Sequence, residues 1–266
     1  MCGRYANARR RQDLVDAFDI EQDTTAEELP PDYNVAPTKP VYAVMERSRD
    51  ETVTRELHLA RWGLVPSWAK DPGIGSRMIN ARVETVAEKP AYRRAFVRRR
   101  CLLPADGYYE WYASEDGEKT SSGVSATPRA GKPKKQPFYI HPDDGGVLAF
   151  AGLYELWRDP GRADDDAWLW SCTIITTDAP DDLGRIHDRM PMVIRPDRWD
   201  AWLDAGRTDA DELRSLLAPA MNAGEGTSRL VAYPVSTAVN NVRNNGPELR
   251  EPLPAEGAQA SGDALF

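Results

Sequence analysis

At 266 residues and a formal net charge of −8, the chain is long enough to bury a full core and reads as one domain with an insertion rather than two domains. The acidic balance excludes a protein that coats nucleic acid by bulk attraction, and no apolar run reaches the roughly 18 residues needed to cross a bilayer. Cys2, Cys101 and Cys172 leave one thiol unpaired in any disulfide scheme and are joined by only three histidines, His58, His141 and His187; no metal or cofactor is expected, and a cytoplasmic setting fits.

The chain opens Met1-Cys2-Gly3-Arg4-Tyr5. With no basic segment leading into an apolar run, no targeting leader is expected. Removal of the initiator methionine leaves Cys2 at the N-terminus, with an α-amine and a thiol two carbons apart. The amine titrates near pH ~7.7–8.0 and the thiol near ~8.5, so both are usable nucleophiles close to neutrality. On one carbonyl carbon the amine forms an imine, and the thiol then closes a five-membered thiazolidine. No internal cysteine can do this. The plainer reading is a frayed chain end.

Leu14, Val15 and Phe18 fall on one face of a helix predicted over Gln12–Ile20. Thr24–Asp32 is a polar loop, and Pro37 and Pro40 hold Tyr33–Thr38 extended. Strands are predicted at Val41–Glu46 and Thr52–Leu64. The second runs into Trp62-Gly63-Leu64-Val65-Pro66-Ser67-Trp68, where each indole is either core or a platform for an unstacked base. Pro72–Ser76 is a turn. Asn80-Ala81-Arg82 is a polar trio expected to precede a helix, and Pro90 begins a second one with Tyr92 and Phe96 inward and its arginines outward. Arg93, Arg94, Arg98, Arg99 and Arg100 lie within eight residues, a local basic patch able to hold a phosphate backbone in a salt-dependent way.

Cys101–Pro104 is a buried strand and Ala105–Gly107 a turn. Tyr108-Tyr109-Glu110-Trp111-Tyr112 sets one carboxylate among four rings, either buried, with its pKa raised for proton transfer, or pointing to solvent by strand alternation. Ser114–Gln136 is a polar inserted segment, expected to be mobile. Strands resume at Pro137–Ile140, Val147–Trp157 and Trp168–Thr177, the second buried on both faces. Asp178–Asp182 leads to His187-Asp188-Arg189-Met190-Pro191. Helices at Arg195–Ala205 and Asp209–Leu217, a strand at Leu230–Val235 and an Asn-rich loop at Ser236–Pro247 follow. From Glu248 onward a Pro/Ala/Gly-rich tail is expected to be disordered, so the domain is drawn at 2–250 with a 251–266 tail.

Met-Cys-Gly-Arg-Tyr, Tyr-Asn-Val-Ala-Pro-Thr, Trp-Gly-Leu-Val-Pro-Ser-Trp, Asn-Ala-Arg-Val-Glu-Thr, Arg-Cys-Leu-Leu-Pro-Ala-Asp-Gly-Tyr-Tyr-Glu-Trp and His-Asp-Arg-Met-Pro occur here in one order. Together they resemble the SOS-response-associated peptidase (SRAP) family. The resemblance implies a single compact α+β domain, mostly β, with peripheral helices and a basic groove for single-stranded DNA. It further implies a sensor of abasic sites, active in DNA damage and the SOS response, that traps them in a covalent protein–DNA crosslink. The abasic sugar's open form supplies the aldehyde that a terminal aminothiol needs.

Under that resemblance Cys2 is the nucleophile, Glu110 holds the amine and shuttles protons, His187 assists ring opening and reversal, and Asn80 orients the sugar or the N-terminus. Arg4, Arg82 and Arg189 would bind phosphates flanking the lesion, with Arg77 a further contact; Asn34, Pro40 and Trp68 would line the pocket or stack. An imine at the abasic carbon also permits β-elimination, so lyase activity is expected where ring closure is slow. Release of Met1, by the chain itself or by another enzyme, accounts for the word peptidase. A monomer, associated with the nucleoid when bound to damaged DNA, is expected. The alternatives are a thiol peptidase acting on other proteins, with Cys2 and His187 as nucleophile and base, and a non-covalent reader of modified or single-stranded DNA.

Overall fold

The structure is a computed structural model that describes residues 2–49, 52–112, 135–162, 164, 167–179, 183, 186–217 and 230–254. Strand β1 (Tyr5–Asn7) is followed by helix α1 (Arg11–Ala17), β2 (Gln22–Asp23), β3 (Asp32–Val35), β4 (Pro40–Arg49) and β5 (Thr52–Trp62). A 3-10 turn over Pro72–Arg77 leads to β6 (Asn80–Arg82), α2 (Arg93–Arg98), β7 (Arg100–Ala105) and β8 (Gly107–Tyr112). Then come β9 (Gln136–Pro142), β10 (Leu148–Arg158), β11 (Trp168–Asp178), β12 (Arg189–Pro191), α3 (Trp199–Leu203), α4 (Ala210–Leu217) and β13 (Leu230–Pro234).

The longest strands build a sheet in the order β12-β11-β10-β7-β4-β5-β2. It closes on itself because β5 also pairs in parallel with β11, Arg61 opposite Ser171 and Trp62 opposite Cys172. Closure leaves β11, β10, β7, β4 and β5 no free edge, with the short β12 and β2 attached beside the seam. A second sheet, β13-β9-β8-β1-β3, lies against the barrel, and Tyr5, Tyr108 and Ile140 from it join Val41, Met45, Trp62, Leu103, Phe150 and Ile174 in one apolar cluster. Period-two alternation divides β10 between two cores: Phe150 and Tyr154 enter that cluster, while Ala149, Ala151 and Leu153 face a second one formed with Leu14, Phe18, Phe96, Trp202 and Leu217 of the helices. A Cβ on Gly107 would stand 2.6 Å from the Ile140 carbonyl oxygen, so glycine is what lets the start of β8 lie this close to β9.

Several expectations are corrected. No helix follows Asn80-Ala81-Arg82; the trio is itself a strand, paired in parallel with Ile174–Thr176, and residues 83–92 form successive turns. Ladder pairing with β11 outweighs the local polar pattern. The basic run divides: Arg93, Arg94 and Arg98 are exposed, but Arg99 pairs with Glu155 at 2.7 Å and Arg100 is buried. Arg100 donates to the carbonyls of Trp202 (2.6 Å), Phe96 (3.1 Å) and Asp204, and burial pulls its pKa down to about 10. It ties helix α3 to the barrel rather than meeting solvent. The Asn-rich loop contains a 3-10 turn at Thr237–Asn240, and a second spans Pro247–Arg250. Within the predicted tail, Pro252 bridges Val235 and the Leu253 N–H donates to the Pro234 carbonyl at 2.9 Å. Of the inserted segment only Lys135 and Gln136 are described, the latter opening β9, and residues 255–266 of the tail fall outside the described residues.

Candidate active site

Strand β8 places the central carboxylate. Tyr108 and Glu110, two residues apart, share the face turned toward Cys2 and the apolar cluster, while Tyr109 takes the other face and donates its hydroxyl to the Tyr33 carbonyl at 2.8 Å. Glu110 is 3% exposed, which settles its two sequence readings in favour of burial. Burial pushes its pKa up to about 7, with the positive amino terminus opposing and Asp188 reinforcing the shift. A carboxyl titrating there can accept and return a proton near neutral pH.

Cys2 is wholly buried, not a frayed end. Its carbonyl accepts a 2.7 Å hydrogen bond from Asn80 Nδ2, and Asn80 is positioned by its strand pairing with Ile174. Burial first, then the Glu110 charge, pushes the Cys2 thiol well above its usual range. Among the described residues, Asn80 Oδ1 and Tyr108 Oη are buried with no hydrogen-bond partner.

His187 reaches the same crevice, which Tyr108, Glu110, Ile140, Ala179, His187 and Met190 help line. The Arg189 N–H donates to His187 Nδ1 at 3.0 Å, so the neutral ring carries its proton on Nε2. Protonation would replace that acceptor role with a contact to Asp188 Oδ1, 2.9 Å from Nδ1. Burial lowers the His187 pKa, helped by the positive amino terminus, while Asp188 opposes.

The predicted DNA-contact residues divide. Arg189, expected to hold a phosphate, is only 8% exposed and is already bound: Nη1 to Glu84 (2.6 Å) and Asp178 (2.5 Å), Nη2 to the Thr176 carbonyl (2.6 Å). Arg189 also lines the crevice. Asn34, expected to line the pocket, is fully buried. Its Nδ2 donates to the carbonyls of Val239, Asn241 and Asn244 at 3.0–3.2 Å, and its Oδ1 accepts from Arg4 at 2.6 Å. Arg4 also donates to the Val239 carbonyl at 2.8 Å and lies over the Trp111 ring. Arg4 and Asn34 thus pin the Asn-rich loop.

Arg77, Arg82 and Pro40 are exposed, and Trp68 is 62% exposed where Trp62 is core. Alternation along β6 puts Arg82 on the same side as Asn80. Two partners of this site escaped sequence reading: Glu84 and Asp178, which occupy Arg189. Tyr108 also belongs to the site, and its spacing from Glu110 in a strand places both on one face. Among the described residues no three His, Cys, Asp or Glu are grouped to hold a metal ion, and no helix is long and apolar enough to cross a membrane.

Residues 1–242 match the family profile described as SOS response associated peptidase (SRAP). The chain belongs to the SRAP family. SRAP relatives include the abasic site processing protein YoqW of Bacillus subtilis, 38% identical over 251 residues that span 94% of this chain and 99% of the relative. The abasic site processing protein YedK of Escherichia coli is 33% identical, covering 95% of this chain and all of the relative, and HMCES of Xenopus tropicalis is 31% identical across 93% and 77%. The same fold is seen in a solved protein from Bacteroides thetaiotaomicron, with a TM-score of 0.73 at 22% identity over 95% of this chain and all of that one. A phage-related protein from Bordetella bronchiseptica has a TM-score of 0.59 at 30% identity, over 88% and 94%.

Proposed function

We propose that this protein traps abasic sites in single-stranded DNA by forming a thiazolidine between its N-terminal Cys2 and the sugar aldehyde. The observation that carries this is the placement of Cys2, buried and held through its carbonyl by Asn80, beside a carboxyl with a pKa raised to about 7. Relatives named as abasic site processing proteins across most of the chain supply the substrate class.

In this account, removal of Met1 frees the Cys2 amine. Glu110, ionised in part at neutral pH, takes a proton from the amine and returns it to the departing oxygen. His187 holds a proton on Nε2 and offers it to the sugar ring oxygen during opening. Asn80 fixes the N-terminal backbone. Exposed Arg82 and Arg77 contact phosphates, and Trp68 stacks against a neighbouring base. Arg4 supports the site from behind through the loop it pins. An imine that lingers before ring closure gives strand cleavage by β-elimination, and release of Met1, by the chain itself or by another enzyme, precedes both reactions.

A thiol peptidase is the weaker alternative. Such an enzyme needs a thiolate beside a protonated imidazole, whereas here burial moves Cys2 up and His187 down. The test is denaturing gel electrophoresis of the mature protein with single-stranded DNA carrying one abasic site. A heat-stable, slow-migrating band that requires the lesion is expected. Its absence, with Met1 removal confirmed, would leave salt-reversible binding or proteolysis as the function.

A further inference from the structure

Tyr108 is the buried polar side chain at this site without an assigned task. It is wholly buried, its Oη has no hydrogen-bond partner among the described residues, and it lines the crevice with Glu110 and His187. Its position is fixed by pairing with Ile140 across β8 and β9 and by an edge contact with Phe150, ring centroids 6.1 Å apart.

Leaving a buried hydroxyl unbonded costs about 1–3 kcal/mol. The neighbouring Tyr109 shows how readily the same strand meets that need, with its 2.8 Å bond to the Tyr33 carbonyl. Burial, then coupling to Cys2 and Glu110, holds the Tyr108 phenol pKa well above its usual value. The group therefore keeps its proton and acts as a hydrogen-bond donor. A donor-bearing phenol, fixed in place beside the nucleophile and given no acceptor by the fold, is suited to an oxygen that arrives with the substrate.

We propose that Tyr108 is a catalytic residue that donates a hydrogen bond to the oxygen on the sugar's C1 carbon as Cys2 adds there; this rests on reading the site as an abasic-site trap. The nitrogen–C1 bond forms as the C1–oxygen π bond breaks. The oxygen takes that electron pair, is held by Tyr108 Oη–H, and receives the nitrogen's surplus proton through Glu110. With one further proton it leaves as water, giving an iminium. The sulfur–C1 bond then forms as the carbon–nitrogen π pair returns to nitrogen, and the released thiol proton replaces the one consumed. The net change is one thiazolidine formed and one water lost.

The test measures single-turnover crosslinking of mature wild-type, Tyr108→Phe and Tyr109→Phe proteins to abasic single-stranded DNA. It is paired with thermal melting and with binding to DNA holding an abasic analogue that lacks the C1 oxygen. Tyr108→Phe is expected to slow crosslinking by about a hundredfold or more, with an equal or higher Tm and unchanged analogue affinity. Tyr109→Phe is expected to lower Tm and react at the wild-type rate. Crosslinking by Tyr108→Phe at the wild-type rate would overturn the inference alone. So would slow crosslinking joined to a lower Tm and weaker analogue binding, which would make Tyr108 a packing residue. Failure of the wild-type protein to form any adduct would overturn both this inference and the trap.

Discussion

Two regions bordering the same apolar cluster each combine a buried glutamate with a histidine, and they differ in what surrounds the pair. At the first, His58 Nε2 lies 2.6 Å from Glu56 Oε2 and Nδ1 lies 3.0 Å from Thr24 Oγ1. Thr24 Oγ1 in turn donates to the Leu57 carbonyl at 2.8 Å, so it can only accept from His58. The Trp170 indole stacks on the imidazole at 4.5 Å between centroids, and Arg47 lies over that indole. Both ring nitrogens and one ring face are occupied. At the second, Glu110 and His187 border a crevice beside which Asn80 Oδ1 and Tyr108 Oη are buried with no partner among the described residues. A glutamate–histidine pair is therefore no signature of chemistry by itself. What separates the two regions is that the His58 ring is enclosed by Glu56, Thr24 and Trp170, whereas Glu110 and His187 line a crevice.

Cys2→Ala should break the comparison most completely: all heat-stable adduct with abasic DNA is lost on a denaturing gel, while the small apolar replacement keeps the fold. Glu110→Gln comes next, slowing crosslinking by about a hundredfold or more in a rate assay. The same change should affect stability in a pH-dependent way. The folded-state pKa of Glu110 is raised to about 7, so its ionisation opposes folding. The folded state is unpenalised below the ordinary glutamate pKa and loses stability as pH rises toward and through 7. Glu110→Gln should thus be near neutral at pH 4 and more stable than wild type at pH 8, by an amount on the order of 3 kcal/mol in denaturant titration. Equal effects at the two pH values would remove the raised pKa from the account.

His58→Ala should invert the pattern. Breaking a buried pair costs about 3–5 kcal/mol, visible as a lower unfolding midpoint, while the crosslinking rate of the folded fraction stays at the wild-type value. A rate loss there would mean that the two regions are coupled. Trp68→Ala has the smallest expected effect, weakening single-stranded DNA binding by about tenfold in a fluorescence titration, as one base–aromatic stack is worth roughly 1–3 kcal/mol, with little change in Tm because the ring is exposed.

Sequence patterns revealed the strands more fully than their assembly. Alternation and apolar runs located β4, β5, β7, β10 and β11 within a few residues, because burial of one face or two leaves a local imprint. Closure of the barrel left none: Arg61 meets Ser171 through a register set by strands far apart in the chain. The Asn80–Arg82 strand was mistaken for a helix lead-in for the same reason, since its partner lies more than ninety residues away. Residue types at the site were legible where the chemistry belongs to one residue, as with Cys2 and Glu110. They could not show the partners that the fold supplies. Arginine suits phosphate, yet Arg189 is occupied by Glu84 and Asp178, and Asn34 is used up by a loop some two hundred residues downstream.

Peptide mapping of the crosslinked product by mass spectrometry tests the central claim most directly, after nuclease digestion of the DNA. The N-terminal peptide beginning at Cys2 should carry the sugar-derived mass, with neither a free amine nor a free thiol. Attachment to a lysine, or to an N-terminal peptide whose thiol can still be alkylated, would contradict thiazolidine trapping at Cys2.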